Sequence, residues 1–195
     1  MRKSALGIGV AAAVLAIGAC GQEQGSAGGN GASTSAEGGE AGGQTIAAGI
    51  GQNSRFAAAA KSAGLDSTLA GPGPYTVLVP SDEAFNKLPN GQYDSWTRPE
   101  ARAQLTGVLT YHILPGTVLA EDIGKAIENA KGKAVLATMG GGTLTASREG
   151  GNVILTDGAG NKARVTKSDQ KYSNGVVHQI DAVLMPQQQQ QPQAS

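Results

Sequence analysis

Hydrophobic positions change their spacing partway along the chain, and the change predicts two kinds of structure. In the first half they recur at helical intervals. Ile46 and Ile50 stand four apart, and Phe56, Ala59, Ala60 and Ala63 form an apolar stripe that Gly64 can end. Gly71-Pro72-Gly73-Pro74 breaks that pattern. Tyr75-Thr76-Val77-Leu78-Val79 follows, apolar on both faces, which predicts an interior strand closed by Pro80. Ser81 is placed to N-cap a short helix, with Asp82 and Glu83 at its positive end and Ala84, Phe85 and Leu88 facing inward. A longer helix is expected from about Arg98-Pro99-Glu100, with an inner stripe of Ala101, Leu105, Val108, Leu109 and His112, stopped by Pro115-Gly116. Ala120 to Ala130 is a further helix candidate.

From Lys133 onward the period becomes two. Val135-Leu136-Ala137, Thr143-Leu144-Thr145, Val153-Ile154-Leu155 and Ala163-Arg164-Val165 read as short strands between Gly-rich turns, and a last strand is expected over about Val176 to Met185. Helices first, strands later and one early strand inserted argue for an α+β fold. No internal repeat is visible, so residues 45–186 are expected to form one copy of one domain. Aromatic residues make up only 4% of the chain, so the core must come from Val, Leu, Ile and Ala.

The flanks carry a different message. Met1-Arg2-Lys3 is positive, and Ala5 to Ile17 is an apolar run of 13 residues. That is short of the roughly 20 needed to span a bilayer. Small residues lead to Cys20, which completes a secretory signal pattern over residues 1–19. Leu15-Ala16-Ile17-Gly18-Ala19-Cys20 also resembles the bacterial lipobox. The resemblance implies diacylglycerol on Cys20, cleavage before it and acylation of the new amino terminus, so the covalent lipid is the one non-protein group expected and no cofactor is. Cys20 is the only cysteine, which rules out an internal disulfide and a cysteine zinc cluster. Residues 20–44 follow the cleavage point. Over 21–44 no hydrophobic residue larger than alanine occurs, and its 24 residues predict a Gly-rich tether with a span of about 25–30 Å. The Gln-rich tail 187–195 likewise lacks apolar anchors, so disorder is expected there. Without residues 1–19, thirteen basic side chains face fifteen acidic ones, a net of about −2, and no basic stripe points to nucleic acid. Gly21, where an aspartate would suggest inner-membrane retention, is compatible with an outer-membrane lipoprotein facing the periplasm or the cell surface.

Three segments of the domain, in order, resemble the fasciclin domain family. The first is Thr76-Val77-Leu78-Val79-Pro80-Ser81-Asp82-Glu83-Ala84-Phe85, with Leu78 where the family commonly has phenylalanine. The second is the pair Tyr111-His112. The third is Asn174-Gly175-Val176-Val177-His178-Gln179-Ile180-Asp181-Ala182-Val183-Leu184-Met185-Pro186. The resemblance implies helices packed around a wedge-like β-sandwich, and roles in adhesion, matrix or polysaccharide contact. It supplies no active site. Some matrix members carry an Asp-Ile pair before the third segment, tied to integrin binding. The aligned pair here is Asp169-Gln170, so that recognition does not carry over, and Asp122-Ile123 reads as a helix acid beside a core residue.

The family positions Thr76, Pro80, Ser81, Asp82, Phe85, Tyr111, His112, Asn174, Gly175, His178, Ile180 and Asp181 therefore read as mainly structural. His178 shares a strand face with Val176, Ile180 and Leu184, which suits a core histidine, and Asp181 points away from it on a regular strand. His112 ends a helix, where imidazole can bond free carbonyls. Asn174-Gly175 is a turn. With two histidines and no nucleophile-elbow, zincin or phosphate-loop motif, no catalytic or metal-binding residue is assigned. A hydrolytic role for Ser81 and Asp82 is outweighed by capping. The leading reading is a lipid-anchored binding or adhesion module with a protein or polysaccharide partner. A structural or stress-related envelope factor without a discrete ligand stays open, as does the oligomeric state.

Overall fold

The computed structural model describes residues 43–51 and 54–187. The signal segment, Cys20, the tether up to residue 42 and the tail from residue 188 lie outside the described residues.

The helical half opens with α1 (Ile46–Gly49) and α2 (Arg55–Ala63). The Ser54 hydroxyl accepts from the Ala57 N–H at 3.2 Å, and Gly64 ends α2 at φ 77°, a left-handed stop that suits glycine. After α3 (Asp66–Ala70) comes β1 (Tyr75–Pro80), then α4 (Asp82–Asn86), capped by Ser81 as expected, and α5 (Gln92–Trp96). The longer helix differs from expectation at both ends. It opens with a 3-10 turn, Pro99–Ala101, and α6 proper runs Arg102–Tyr111. It stops at His112 rather than at Pro115-Gly116, because β2 (Ile113–Pro115) pairs antiparallel with the start of β1. Next is α7 (Ala120–Asn129), followed by the left-handed Lys131 at φ 56°. The strand half holds β3 (Lys133–Ala137), β4 (Thr143–Glu149), β5 (Asn152–Thr156), β6 (Lys162–Tyr172) and β7 (Gly175–Ile180).

These strands form a seven-stranded sheet in the order β2-β1-β7-β6-β5-β4-β3. The β1–β7 pairing is parallel and runs from Tyr75↔Gly175 to Pro80↔Ile180, while the other pairs are antiparallel. Two sequence expectations need correction here. β6 runs far past Val165 through a polar stretch without apolar alternation, because β7 pairs with it across register shifts between Val165 and Lys167 and between Lys167 and Gln170. The last strand ends at Ile180, not Met185, because side chains replace the ladder. Arg164 N–H donates to the Asp181 carboxylate at 2.7 Å, Leu184 N–H to the His112 ring at 3.1 Å, and Met185 N–H to the Asp157 carboxylate at 3.0 Å. Leu184 is still fully buried, but it is not a strand neighbour of His178.

The sheet folds over, so that two apolar clusters form. One lies between β1, β7 and the helices α1 to α6, around Ile46, Phe56, Leu69, Val77, Trp96 and Leu105. The other lies inside the folded sheet under α7, around Leu78, Ile123, Leu144, Leu155, Ile180 and Leu184. Met139 N–H donates to the Ile113 carbonyl at 2.8 Å and ties the β3–β4 turn to β2. Helices around a wedge of strands is thus the observed α+β architecture.

Asn174 locks several elements together at the β6–β7 turn. Its carbonyl oxygen accepts from Ile46 N–H at 2.8 Å, and its amide donates to the carbonyls of Leu69 and Gly71, each at 2.8 Å. One buried side chain thereby satisfies α1, the end of α3 and the loop beyond it. At Gly175 a Cβ would collide with the Tyr75 carbonyl, so only glycine lets β1 approach. Asn174→Ala leaves three backbone groups without partners, and urea denaturation is expected to show a loss of about 3 kcal/mol. A midpoint unchanged from the wild type would remove Asn174 from this role.

Candidate functional site

The family-motif side chains mostly hold backbone. Thr76, fully buried in β1, donates its hydroxyl to the Gly116 carbonyl and accepts from Val118 N–H, both at 2.8 Å. His178 in β7 continues that line: its Nε2 meets the Val118 carbonyl at 2.8 Å, and its Nδ1 accepts from Asp169 N–H at 3.2 Å. These partners assign the proton to Nε2. Asp169, left-handed at φ 58°, accepts from Ala120 N–H at 2.8 Å and so caps α7 from a distant strand. The loop from Gly116 to Ala120 is therefore clipped to the sheet at three points. Asp122 adds a local cap by accepting from Leu119 N–H at 3.1 Å, and Ile123 is buried, which is the helix role expected of that pair.

His112 does equivalent work at the far end of α6. Nδ1 donates to the Val108 carbonyl at 2.8 Å, and Nε2 accepts from Leu184 N–H at 3.1 Å. The neighbouring Phe56 ring meets it edge-on, with centroids 6.5 Å apart. Burial strips the imidazole of solvent and pulls its pKa from 6.5 down to about 4, against the opposing pull of the Val108 carbonyl and Asp157. Protonating Nε2 would also turn a donor against a donor. Tyr111 donates its hydroxyl to the Thr143 carbonyl at 2.7 Å, and burial pushes its pKa up.

The remaining motif residues are equally engaged. Ser81 caps α4, while Asp82 reaches back to accept from Arg55 N–H at 2.9 Å and so caps α2. Pro80 closes β1 opposite Ile180, which is fully buried. Phe85 meets Tyr93 edge-on at 5.3 Å. Asp181 bonds Arg164 through both its backbone and its side chain, and shares no bond with His178. Asp157, in the Gly-rich turn Asp157-Gly158-Ala159-Gly160-Asn161 between β5 and β6, joins this network too. Buried, it accepts from Ala159, Asn161 and Met185, which fixes the β5–β6 turn and the path of the chain after β7. The Asp-Gly-Ala-Gly-Asn pattern announces the turn, but nothing local announces Met185.

Among the described residues, Ser81, Asp82, His112 and His178 are thus engaged with backbone partners rather than with one another, and no group of three or more His, Cys, Asp or Glu could hold a metal ion. What the arrangement offers instead is a groove of about 750 Å³ at the end of the sheet where β1 and β7 begin. The loop Gly71–Pro74 walls one side, and Thr117 and Leu119 of the clipped loop line it too. The run Lys171 to Val176 and Thr45 complete it. The motif network does not line most of this groove, but it sets the loop and the turn that do.

A fold of helices around this sheet, with all three motif segments at its joints, defines a class, and comparison with known proteins agrees. Residues 51–186 match the fasciclin domain model, and the chain belongs to the fasciclin domain family. Protein sll1483 of Synechocystis is 36% identical over 141 residues, covering 72% of this chain and 71% of that protein. Transforming growth factor-beta-induced protein ig-h3 of Sus scrofa is 33% identical over 133 residues, 68% of this chain but only 17% of that longer protein. Among solved structures, a FAS1 domain pair from the insect cell adhesion molecule Fasciclin I aligns with a TM-score of 0.53 at 26% identity. The alignment covers 67% of this chain and 44% of the pair.

The His112 geometry makes stability depend on pH in a defined sense. The unfolded ring takes a proton near 6.5, whereas the folded ring resists until about 4. Its contribution is therefore complete above pH 6.5 and is lost as pH falls toward 4, to a maximum of about 3 kcal/mol. NMR of the imidazole nitrogens at about pH 5, between those two values, is expected to show His112 unprotonated at Nε2, with its proton on Nδ1. A doubly protonated His112 at that pH in the folded protein would overturn the assignment.

Proposed function

We propose that this chain is a bacterial envelope lipoprotein, held to a membrane by acyl chains on Cys20 and presenting one fasciclin domain as a non-catalytic binding or adhesion module. The observation that carries the reading is the order of parts: a short apolar run, a lipobox cysteine, a 24-residue Gly-rich stretch and then the domain. Two or more acyl chains hold a protein stably in a bilayer, where one holds it only marginally. A spacer of that composition suits a domain working away from the headgroups. The non-catalytic part of the reading is supported by the motif side chains, which are committed to backbone partners. The adhesion part is supported by the likeness to Fasciclin I, which is an insect cell adhesion molecule.

An outer-membrane location facing the periplasm or the surface is part of the proposal, on the strength of Gly21. Mass spectrometry of the mature amino terminus tests the anchor. The expected outcome is a peptide beginning at Cys20 with a diacylglyceryl thioether, and a Cys20→Ser variant that no longer fractionates with membranes. A free thiol at residue 20, with the protein soluble after export, would refute it. Pull-down from intact cells then reads the partner.

A further inference from the structure

The groove beside the β6–β7 turn has an unusual inventory of side chains. Its aliphatic hydroxyls belong to Thr45, Thr117 and Ser173, and its one charged residue is Lys171. Among the described residues, neither these three hydroxyls nor the Lys171 ammonium has a hydrogen-bond or ion-pair partner within the protein. This contrasts with the neighbouring Thr76 and Asn174, whose side chains are engaged.

The apolar part of the lining is as distinctive. Pro72, Pro74 and Leu119 are flat or compact, and Tyr172 is the aromatic surface. Tyr172 is held in place, because its hydroxyl donates to the Gly49 carbonyl at 3.2 Å. A fixed ring, small apolar faces, free hydroxyls and one cation are what a chain of sugar rings needs. Ring C–H faces stack on the apolar surfaces, ring hydroxyls exchange hydrogen bonds with the side-chain hydroxyls, and a carboxylate pairs with the lysine. The volume of about 750 Å³ lies in the range of ligand-binding clefts.

A peptide is the alternative occupant. β1 and β7 have neighbours on both sides and offer no free ladder edge here, whereas β6 pairs with β5 only over Lys162–Arg164, so at Lys171 and Tyr172 it has β7 alone beside it. The wall at Pro72 and Pro74 carries no N–H at those two positions.

We propose that this groove is a glycan site that takes a short stretch of an acidic polysaccharide, with Lys171 pairing a sugar carboxylate, Tyr172 as the stacking platform and Thr117 and Ser173 bonding ring hydroxyls. This rests on the binding-module reading and gives it a ligand class.

Calorimetric titration of the protein, as the cell processes it and in a non-ionic detergent without sugar headgroups, tests the site with three probes: tetragalacturonate, maltotetraose and tetraglutamate. Tetragalacturonate is expected to bind, with an affinity that falls as salt rises. Lys171→Gln is expected to weaken it at least about 5-fold at low salt, in proportion to the loss of one charge-assisted contact. The pair Thr117→Val with Ser173→Ala is expected to weaken tetragalacturonate and maltotetraose alike. Unchanged thermal midpoints confirm that these substitutions leave the fold intact. Binding of tetraglutamate as tight as that of tetragalacturonate, or tetragalacturonate binding indifferent to all three substitutions, or no binding of any probe, overturns the glycan site. If the triple variant still captures the wild-type partner in cell pull-downs, the groove is refuted while the binding-module reading stands.

Discussion

Everything in this domain depends on one parallel strand pairing. Tyr75 and Gly175, one hundred positions apart, begin a ladder that joins β1 to β7 within the sheet. A parallel pair cannot be closed by a tight turn, so the chain between must cross over and return. Here that crossover is most of the domain: α4 to α7 and the β3–β6 meander. The cost of closing so long a loop has to be offset by burial, and both strands are buried along nearly their whole length.

The motif residues make sense as consequences of that constraint. A buried interior ladder carries backbone from many elements to one place, and the loop ends that arrive there still have polar groups to satisfy. Asn174, Thr76, His178, His112 and Asp157 each bond backbone groups far away in sequence. They are side chains that finish what the secondary structure leaves open. The same chemistry explains why two histidines in a small domain need not signal catalysis.

Much of this is legible in the sequence, for physical reasons. β1 announces itself because a strand covered on both faces is apolar without alternation, and Ser81 and Gly64 announce helix ends because capping is local chemistry. The fold class follows from the change of period and from the three motif segments. What escapes is set by distant partners. β2 is three residues long and exists only because β1 is beside it. The polar half of β6 has no period of its own and is strand only through β7. The end of β7 is hidden because Asp157 and His112 take N–H groups that a regular ladder would have taken. The groove is invisible for the same reason: Thr45, Gly71–Pro74, Thr117 and Lys171–Val176 come from four separate stretches of chain.

Native-state hydrogen exchange of the β1 and β7 amides tests the central claim most directly. If the parallel ladder is what the rest is built on, the amides of Val77, Val79, His178 and Ile180 exchange only when the whole domain unfolds, with an opening free energy equal to that from denaturant. Faster exchange there, by local opening while β3–β5 stay protected, would show that the domain stands on its meander and that the ladder is secondary.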